Sequence, residues 1–448
     1  MGFVELRVVA VSGGCMRRLM LMLFLLVASG SPAFAQQRVI VRDELGLSGL
    51  KGTCLILNCY VNASLGDPSG RLFLITVNGS GNLNSFLSSL LRQVGVVGAE
   101  LDQQLLLIQA SAGPIPESLL DETPLVYYGT TVWDGYANQP AAQIVRVLPA
   151  QSAFHVSGAG TVAMIDTGVD TQHPALVVVL VPGYNFVNNT SNADEKADVN
   201  QSSAAVLDGG SAEPTYVNSS TIAVLNQSSA AVLDGGQYNS FGHGTMTAGI
   251  VHLVAPTAKI MPLKAFSADG SGYVSNIIQA VYYASQHHVQ VISMSFSFSP
   301  SSSEMAKAIQ YANAQGIICV ASAGNDGEDE LVYPAALSGV MGVASTTDYD
   351  TRSNFSNYGS DVWVAAPGEG IISTYPYGTY SAGWGTSFSA PFVAGTAALL
   401  VDASPGANQK SAAAAIANAK WVSSDMGNGR LDAYLAVQSL IEAGTGTH

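Results

Sequence analysis

From Thr161 onward, short apolar runs alternate with helix-patterned stretches, and this alternation limits the fold more than any other feature of the chain. The runs are Val162–Ile165, Ile260–Leu263, Val291–Met294, Ile317–Ala321, Val340–Val343 and Val362–Ala365, with helical spacing over Val274–Gln286 and Ser303–Ala314. Strands that are apolar on both faces must be covered on both faces, and parallel neighbours need crossover helices that supply the cover. The expected fold class is therefore α/β, a parallel sheet with helices on both faces. Ligands bind such sheets beyond the carboxyl ends of the strands, so chemistry is expected just after each run. Charge narrows the partners. Only 11% of residues are charged, the net charge is −15, and Lys and Arg form no run longer than the pair Arg17-Arg18. Polyanions and anionic membranes need clustered positive charge, so neither nucleic acid nor a membrane surface is an expected partner.

The N-terminus carries an address. Arg17 and Arg18 precede an apolar run from Leu19 to Ala28, and Ala33-Phe34-Ala35 follows as a small-x-small cleavage site. Residues 1–35 thus read as a secretory signal, with Met16 a candidate true start. The run is shorter than the ~20 residues needed to span a bilayer, and no later segment reads as long and apolar enough to span. Residues 71–110 read as a compact α+β unit. Arg71–Val77 is strand-like, Leu83, Phe86, Leu87, Leu90, Leu91 and Val94 fall on one helical face, and Leu105–Ile108 is a further strand. Pro114, Pro116 and Pro124 then mark a boundary. Cysteine is sparse. Cys54 and Cys59 are a possible small-loop disulfide outside the cell, and Cys319 reads as a buried hydrophobe.

One segment breaks the pattern. Between Asn185 and Ser240 the string Asn-Gln-Ser-Ser-Ala-Ala-Val-Leu-Asp-Gly-Gly occurs at 200–210 and again at 226–236, with a degenerate copy at 220–225. Irregular spacing argues against a regular solenoid. A surface insertion of small strands or hairpins is the simplest reading, and a rim shaping access to a cleft is the sharper one.

Four strings fall where an α/β site belongs. Asp166-Thr167-Gly168 ends the Val162–Ile165 run, and Gly242-His243-Gly244-Thr245 opens a helical stretch. Gly385-Thr386-Ser387 begins a second such stretch, and Ser322-Ala323-Gly324-Asn325 follows the run that holds Cys319. A serine hydroxyl needs an adjacent base, and the base needs a buried acceptor that fixes its tautomer. Asp166, His243 and Ser387 can fill those roles, and the amide of Asn325, with the backbone N–H of Ser387, can face a developing oxyanion. Asp166-Thr167-Gly168 has no second copy, which argues against a paired-carboxylate protease. The order Asp, His, Ser also differs from the chymotrypsin and α/β-hydrolase arrangements.

These motifs, in this order, resemble those of the subtilases, the subtilisin-like serine proteases, over about Gln139–Ala436. The resemblance implies Asp166 as orienting carboxylate, His243 as base and then acid, Ser387 as nucleophile and Asn325 in the oxyanion hole. It implies a secreted (extracellular or periplasmic) monomeric endopeptidase that acts on proteins or peptides, with no cofactor. Residues 36–125 would be its propeptide, an intramolecular chaperone and inhibitor removed by a cut near 115–140. Residues 126–448 would be the catalytic domain, interrupted at 185–240. Activity is expected to fall as His243 protonates near pH 6–7.

Departures from the family pattern shape further expectations. Ala175 stands where relatives often carry a calcium-binding Asp, and Ile250–Val254 runs directly into Ala255-Pro256 without a calcium loop. The family's high-affinity calcium site is therefore not expected and no metal ligand is assigned; Asp326, Glu328, Asp329 and Glu330 could hold a cation weakly, but a solvated acidic loop is the simpler reading. Ser295-Phe296-Ser297-Phe298 replaces the usual Ser-Leu-Gly-Gly substrate edge, which would narrow the primary pocket. Asp326, by resemblance near that pocket's mouth, would favour a basic residue. His155, His252, His287 and His288 lack ligand-spaced partners. The alternative reading is a secreted binding protein on a catalytically silent scaffold of the same fold.

Overall fold

A computed structural model of the chain describes residues 37–79, 82–199, 213–225 and 238–445. The signal segment 1–35 and both identical repeat copies lie outside the described residues. The first described unit runs β1 (Gln37–Asp43), α1 (Gly46–Leu57), β2 (Cys59–Ser64), β3 (Leu72–Val77), α2 (Leu83–Leu90) and β4 (Val96–Leu101). Its antiparallel sheet has the order β2-β3-β1-β4, the split βαβ arrangement. Val39, Val41, Phe73, Ile75 and Leu90 form its core. Cys54 and Cys59 are joined in a disulfide beside that core. The expected α2 face is cut short, because the helix ends at Leu90 and Val94 lies exposed beyond it.

β5 (Gln104–Leu106) does not join this sheet. It pairs antiparallel with β11 (Ser271–Tyr273) of the larger unit, through Ser271↔Leu106, Gly272↔Leu105 and Tyr273↔Gln104.

The larger unit is built on seven parallel strands: β6 (Thr161–Asp166), β7 (Tyr184–Asn185), β10 (Lys259–Lys264), β12 (Val291–Met294), β13 (Ile318–Ser322), β14 (Met341–Thr346) and β15 (Val362–Pro367). Their order is β15-β14-β13-β12-β6-β10-β7. Each expected run is found as a strand, displaced by at most a few residues. Ile165, Leu263 and Ile292 face one apolar cluster, whereas Met164, Ile260 and Val320 face another. The two clusters on opposite faces explain why these strands read as continuous apolar runs.

Four helices matter for the site: α3 (His243–Val254), α4 (Val274–Gln286), α5 (Ser303–Ala314) and α6 (Thr386–Ala403). The last corrects an expectation, because it is long and apolar enough to cross a membrane by length and composition. Its residues from Thr386 to Val401 are buried, so it is a core helix packed against α3. A second, antiparallel sheet has the order β8-β9-β17-β16, formed by β8 (Glu213–Asn218), β9 (Thr221–Leu225), β16 (Ile371–Tyr375) and β17 (Thr379–Gly383). Its first two strands belong to the insertion, and β9 contains the degenerate repeat.

Candidate active site

Asp166 is the last residue of β6 and is fully buried. The Nδ1–H of His243, at the first position of α3, donates to its Oδ1 at 2.7 Å. The backbone N–H of Thr167 donates to the same oxygen at 2.7 Å, and the Thr247 hydroxyl donates to Oδ2 at 3.1 Å. These bonds fix the carboxylate, and the carboxylate fixes which imidazole nitrogen carries its proton. Gly244 allows the close approach of helix and strand, since a Cβ there would lie 2.0 Å from the Gly168 carbonyl oxygen. Burial alone pushes the His243 pKa down. The negative charge and hydrogen bond of Asp166 outweigh it, with a smaller push from Glu195, and hold it above the usual imidazole value.

Ser387 lies in the first turn of α6, one residue before Phe388, whose ring centroid is 5.5 Å from the His243 imidazole. Both Ser387 and His243 keep a small exposed fraction, 6% each. Gly385 caps the helix at φ 145°, a conformation L side chains rarely adopt. Asn325 follows β13, and its Oδ1 accepts from the Thr386 N–H and hydroxyl, each at 2.9 Å. With Oδ1 taken up by Thr386, the amide is oriented, and its Nδ2 donates to the Ile108 carbonyl at 2.9 Å. The structure thus brings Asp166 to His243 and ties Asn325 to the turn that carries Ser387.

The expected substrate edge is less engaged. Phe296 is buried against Phe266, with ring centroids 5.0 Å apart, in the cluster that also holds Leu105 and Leu107. Ser295 and Ser297 are buried. The tail around β5 forms its strand pairing with β11 rather than with Ser295–Ser297. Asp326 is exposed, and its backbone N–H donates to Asn357 Oδ1 at 2.8 Å. Cys319 is a buried free thiol whose pKa burial pushes up to about 12.

One residue the sequence did not reveal is Glu195. Its fully buried carboxylate accepts from the Gly242 and Thr245 N–H groups at 2.9 and 2.8 Å, and from the Thr245 hydroxyl at 2.6 Å. The Thr167 hydroxyl also donates to it. Glu195 therefore caps the start of α3, where the unpaired N–H groups favour negative charge. Through Thr167 it connects to Asp166. The fully buried Lys264 is nearby, donating to the Thr167 carbonyl at 2.6 Å and pairing with Asp198 at 3.0 Å. Glu195 sits in a polar stretch that opens the expected insertion, and such a stretch reads as solvated surface. No spacing signal marked it.

A parallel sheet of this order, with its strand ends meeting two helix N-termini, defines a subtilisin-like α/β protein. Comparison with known proteins agrees. The subtilase family pattern matches residues 158–435. Thermitase of Thermoactinomyces vulgaris is 36% identical over 316 residues, covering 67% of this chain and 96% of that protein. A thermophilic serine proteinase of Bacillus sp. strain AK1 is 33% identical over 280 residues, covering 62% of this chain and 61% of that protein. A solved protease structure from Pseudoalteromonas arctica PAMC 21717 superposes with a TM-score of 0.53 at 28% identity, covering 66% of this chain and 92% of that one. The chain belongs to the subtilase family and is a serine-type endopeptidase.

Proposed function

We propose that this protein is a secreted endopeptidase, made as a precursor, that cuts peptide bonds through Asp166, His243 and Ser387. The observation that carries the reading is the buried 2.7 Å bond from His243 to Asp166, formed beside the helix turn that presents Ser387. In this scheme His243 takes the Ser387 proton as the hydroxyl oxygen attacks the substrate carbonyl. The imidazolium that forms is stabilised by Asp166, which stays ionised. The oxyanion is held by Asn325 Nδ2, and the departing amine receives the proton from His243. Water then hydrolyses the acyl-enzyme by the same route. Residues following the signal at 1–35 fold as the split βαβ unit, which serves as chaperone and inhibitor until it is cut away. Protein or peptide chains are the substrates, and the enzyme acts as a monomer outside the cytoplasm.

A fluorophosphonate probe tests the centre of this proposal. The wild-type chain is expected to be labelled at Ser387, and Ser387→Ala and His243→Ala to lose the label while keeping the fold by circular dichroism. A wild-type chain that folds but takes no label overturns it.

A further inference from the structure

The segment from Gln103 to Gly113 belongs to neither the split βαβ sheet nor the seven-stranded sheet, yet it is held at several points along its length. On one side of Ile108 it behaves as an added strand. The Val274 N–H donates to the Gln103 carbonyl at 3.1 Å, β5 pairs with β11, and the Leu107 N–H donates to the Gly270 carbonyl at 3.0 Å. Strand addition of this kind holds an extended peptide by its backbone and selects it by alternate side chains. Leu105 and Leu107 are buried at 8% exposure each, whereas Leu106 is 64% and Ile108 42% exposed. Leu105 and Leu107 join the cluster that contains Phe266, Phe296 and Ile277.

At Ile108 the register reaches the catalytic groups. Its carbonyl accepts from Asn325 Nδ2 at 2.9 Å, the amide the proposed mechanism assigns to the oxyanion.

Beyond Ile108 a different surface takes over. Gln109 Nε2 donates to the Asn239 carbonyl at 2.6 Å and to Ser240 Oγ at 3.1 Å, and its Oε1 accepts from Ser219 Oγ at 3.1 Å. The Ala112 N–H donates to the Ser219 carbonyl at 2.6 Å. Ser219 lies in the turn between β8 and β9, the hairpin of the insertion. That hairpin is anchored next to the nucleophile, because β9 pairs with β17 and the Trp384 N–H donates to the Ser220 carbonyl at 3.0 Å.

We infer that Ile108–Gln109 is the peptide bond this chain cuts in itself, and that the β8–β9 hairpin of the insertion is the wall that grips the departing side. The inference rests on the protease reading above and sharpens it. In the reaction, Ser387 Oγ bonds to the Ile108 carbonyl carbon while its proton passes to His243. The C–N bond to Gln109 then breaks, and the Gln109 nitrogen leaves as an amine carrying the proton from His243. One water hydrolyses the ester, leaving Ile108 as a carboxylate and Ser387 as a hydroxyl. The new N-terminus is Gln109, upstream of the 115–140 range the sequence suggests. The residue before the cut is neutral, so the first substrate does not call on Asp326. Selection falls on the apolar residues in the second and fourth places before the cut, Leu107 and Leu105.

The test expresses the full chain as wild type, Ser387→Ala, Leu107→Asp, Leu106→Asp and Gln109→Ala, and maps termini by mass spectrometry, allowing for cyclised N-terminal glutamine. The expected wild-type product begins at Gln109 and is absent from Ser387→Ala. Leu107→Asp is expected to slow its appearance at least about tenfold, from the lost burial of one leucine, and more than Leu106→Asp does. Gln109→Ala is expected to slow it several-fold without moving the cut, through loss of the hairpin and Ser240 contacts. The matured enzyme is also expected to cut a synthetic peptide of residues 103–112 between Ile and Gln. A labelled, active enzyme that begins elsewhere overturns this inference and leaves the protease reading intact. A wild-type chain that neither takes the fluorophosphonate label nor yields a product overturns both. Equal rates for Leu106→Asp and Leu107→Asp overturn the assignment of selectivity, and an unchanged rate for Gln109→Ala overturns the hairpin's part.

Discussion

Replacing Glu195 with Gln should change how stability depends on pH, and the structure sets the size. Burial raises the Glu195 pKa from 4.5 to about 7, against the pull of hydrogen bonds from Thr167 and Thr245 and the charge of Lys264; Asp166 adds to the rise. The groups facing it also include His243 and Tyr375, each of which it pushes up. Because the folded protein binds this proton more tightly than the unfolded chain, the associated stability is fully present below about pH 4.5. It is lost as pH rises through about 7. The difference between 4.5 and about 7 corresponds to roughly 3 kcal/mol. Gln cannot ionise, so the variant keeps a pH-independent cost from facing its NH₂ toward donors but loses this slope. Thermal unfolding at fixed scan rate, in a Ser387→Ala background that prevents self-digestion, should show it. The melting temperature of Glu195→Gln relative to Glu195 is expected to rise by several degrees between about pH 5 and pH 8. Parallel curves would refute the reasoning and would mean that the four donors hold the carboxylate ionised throughout.

With Asn325 holding the oxyanion as proposed, Asn325→Ala should lower kcat by about 10²–10³ with little change in KM, the magnitude that removal of one such donor costs in subtilisin. Because Asp166 raises the His243 pKa, the acidic limb of kcat/KM against pH should have its midpoint above the ordinary imidazole value of 6.5. Asp166→Asn should cut kcat steeply and shift any residual limb to lower pH. Cys54→Ser with Cys59→Ser opens a loop closed by residues five apart, which should cost about 2 kcal/mol on loop-entropy grounds. Hydrogen exchange in the Ser387→Ala full chain should show faster opening over residues 37–101, with the sheet of Asp166 unaffected.

What the sequence made legible follows from which interactions are local. The strands ending at Asp166, Met294 and Ser322 were readable because burial on both faces writes an unbroken apolar run. The helices opening at His243 and Ser387 were readable because close packing demands glycine at Gly244 and a backbone at φ 145° demands it at Gly385. Contacts made across the fold leave no such mark. Glu195 and Lys264 are charged residues in unremarkable settings, and only the assembled sheet buries them together. Leu105–Ile108 has the composition of a strand, yet composition does not say which sheet it joins. Its partner, Ser271–Tyr273, is far along the chain and contains a glycine that weakens any strand signal. The end of α2 at Leu90 was missed for a related reason, since Val94 continues the helical spacing but has nothing to pack against.

The degenerate repeat shows how a local departure becomes informative once its place is known. The identical copies read Ser-Ala-Ala-Val-Leu where residues 221–225 read Thr-Ile-Ala-Val-Leu. Of the two changed positions, the larger change is at Ile222, which is fully buried and joins the main core cluster, paired with Ala382 on β17 only a few residues before Ser387. A strand seated there must fill the space beneath it, and the alanine of the other copies would not. Ile222→Ala, which restores the repeat's own residue, should therefore cost about 2–5 kcal/mol through lost burial and a residual cavity. Because β9 holds the turn that carries Ser219, the same change should loosen the grip on Gln109 and slow cleavage after Ile108. Thermal unfolding in the Ser387→Ala background measures the first effect, and the rate at which Gln109 appears as a terminus measures the second. A melting temperature within a degree of the parent would show that the hairpin is not seated in the core, and the insertion would then be surface decoration after all.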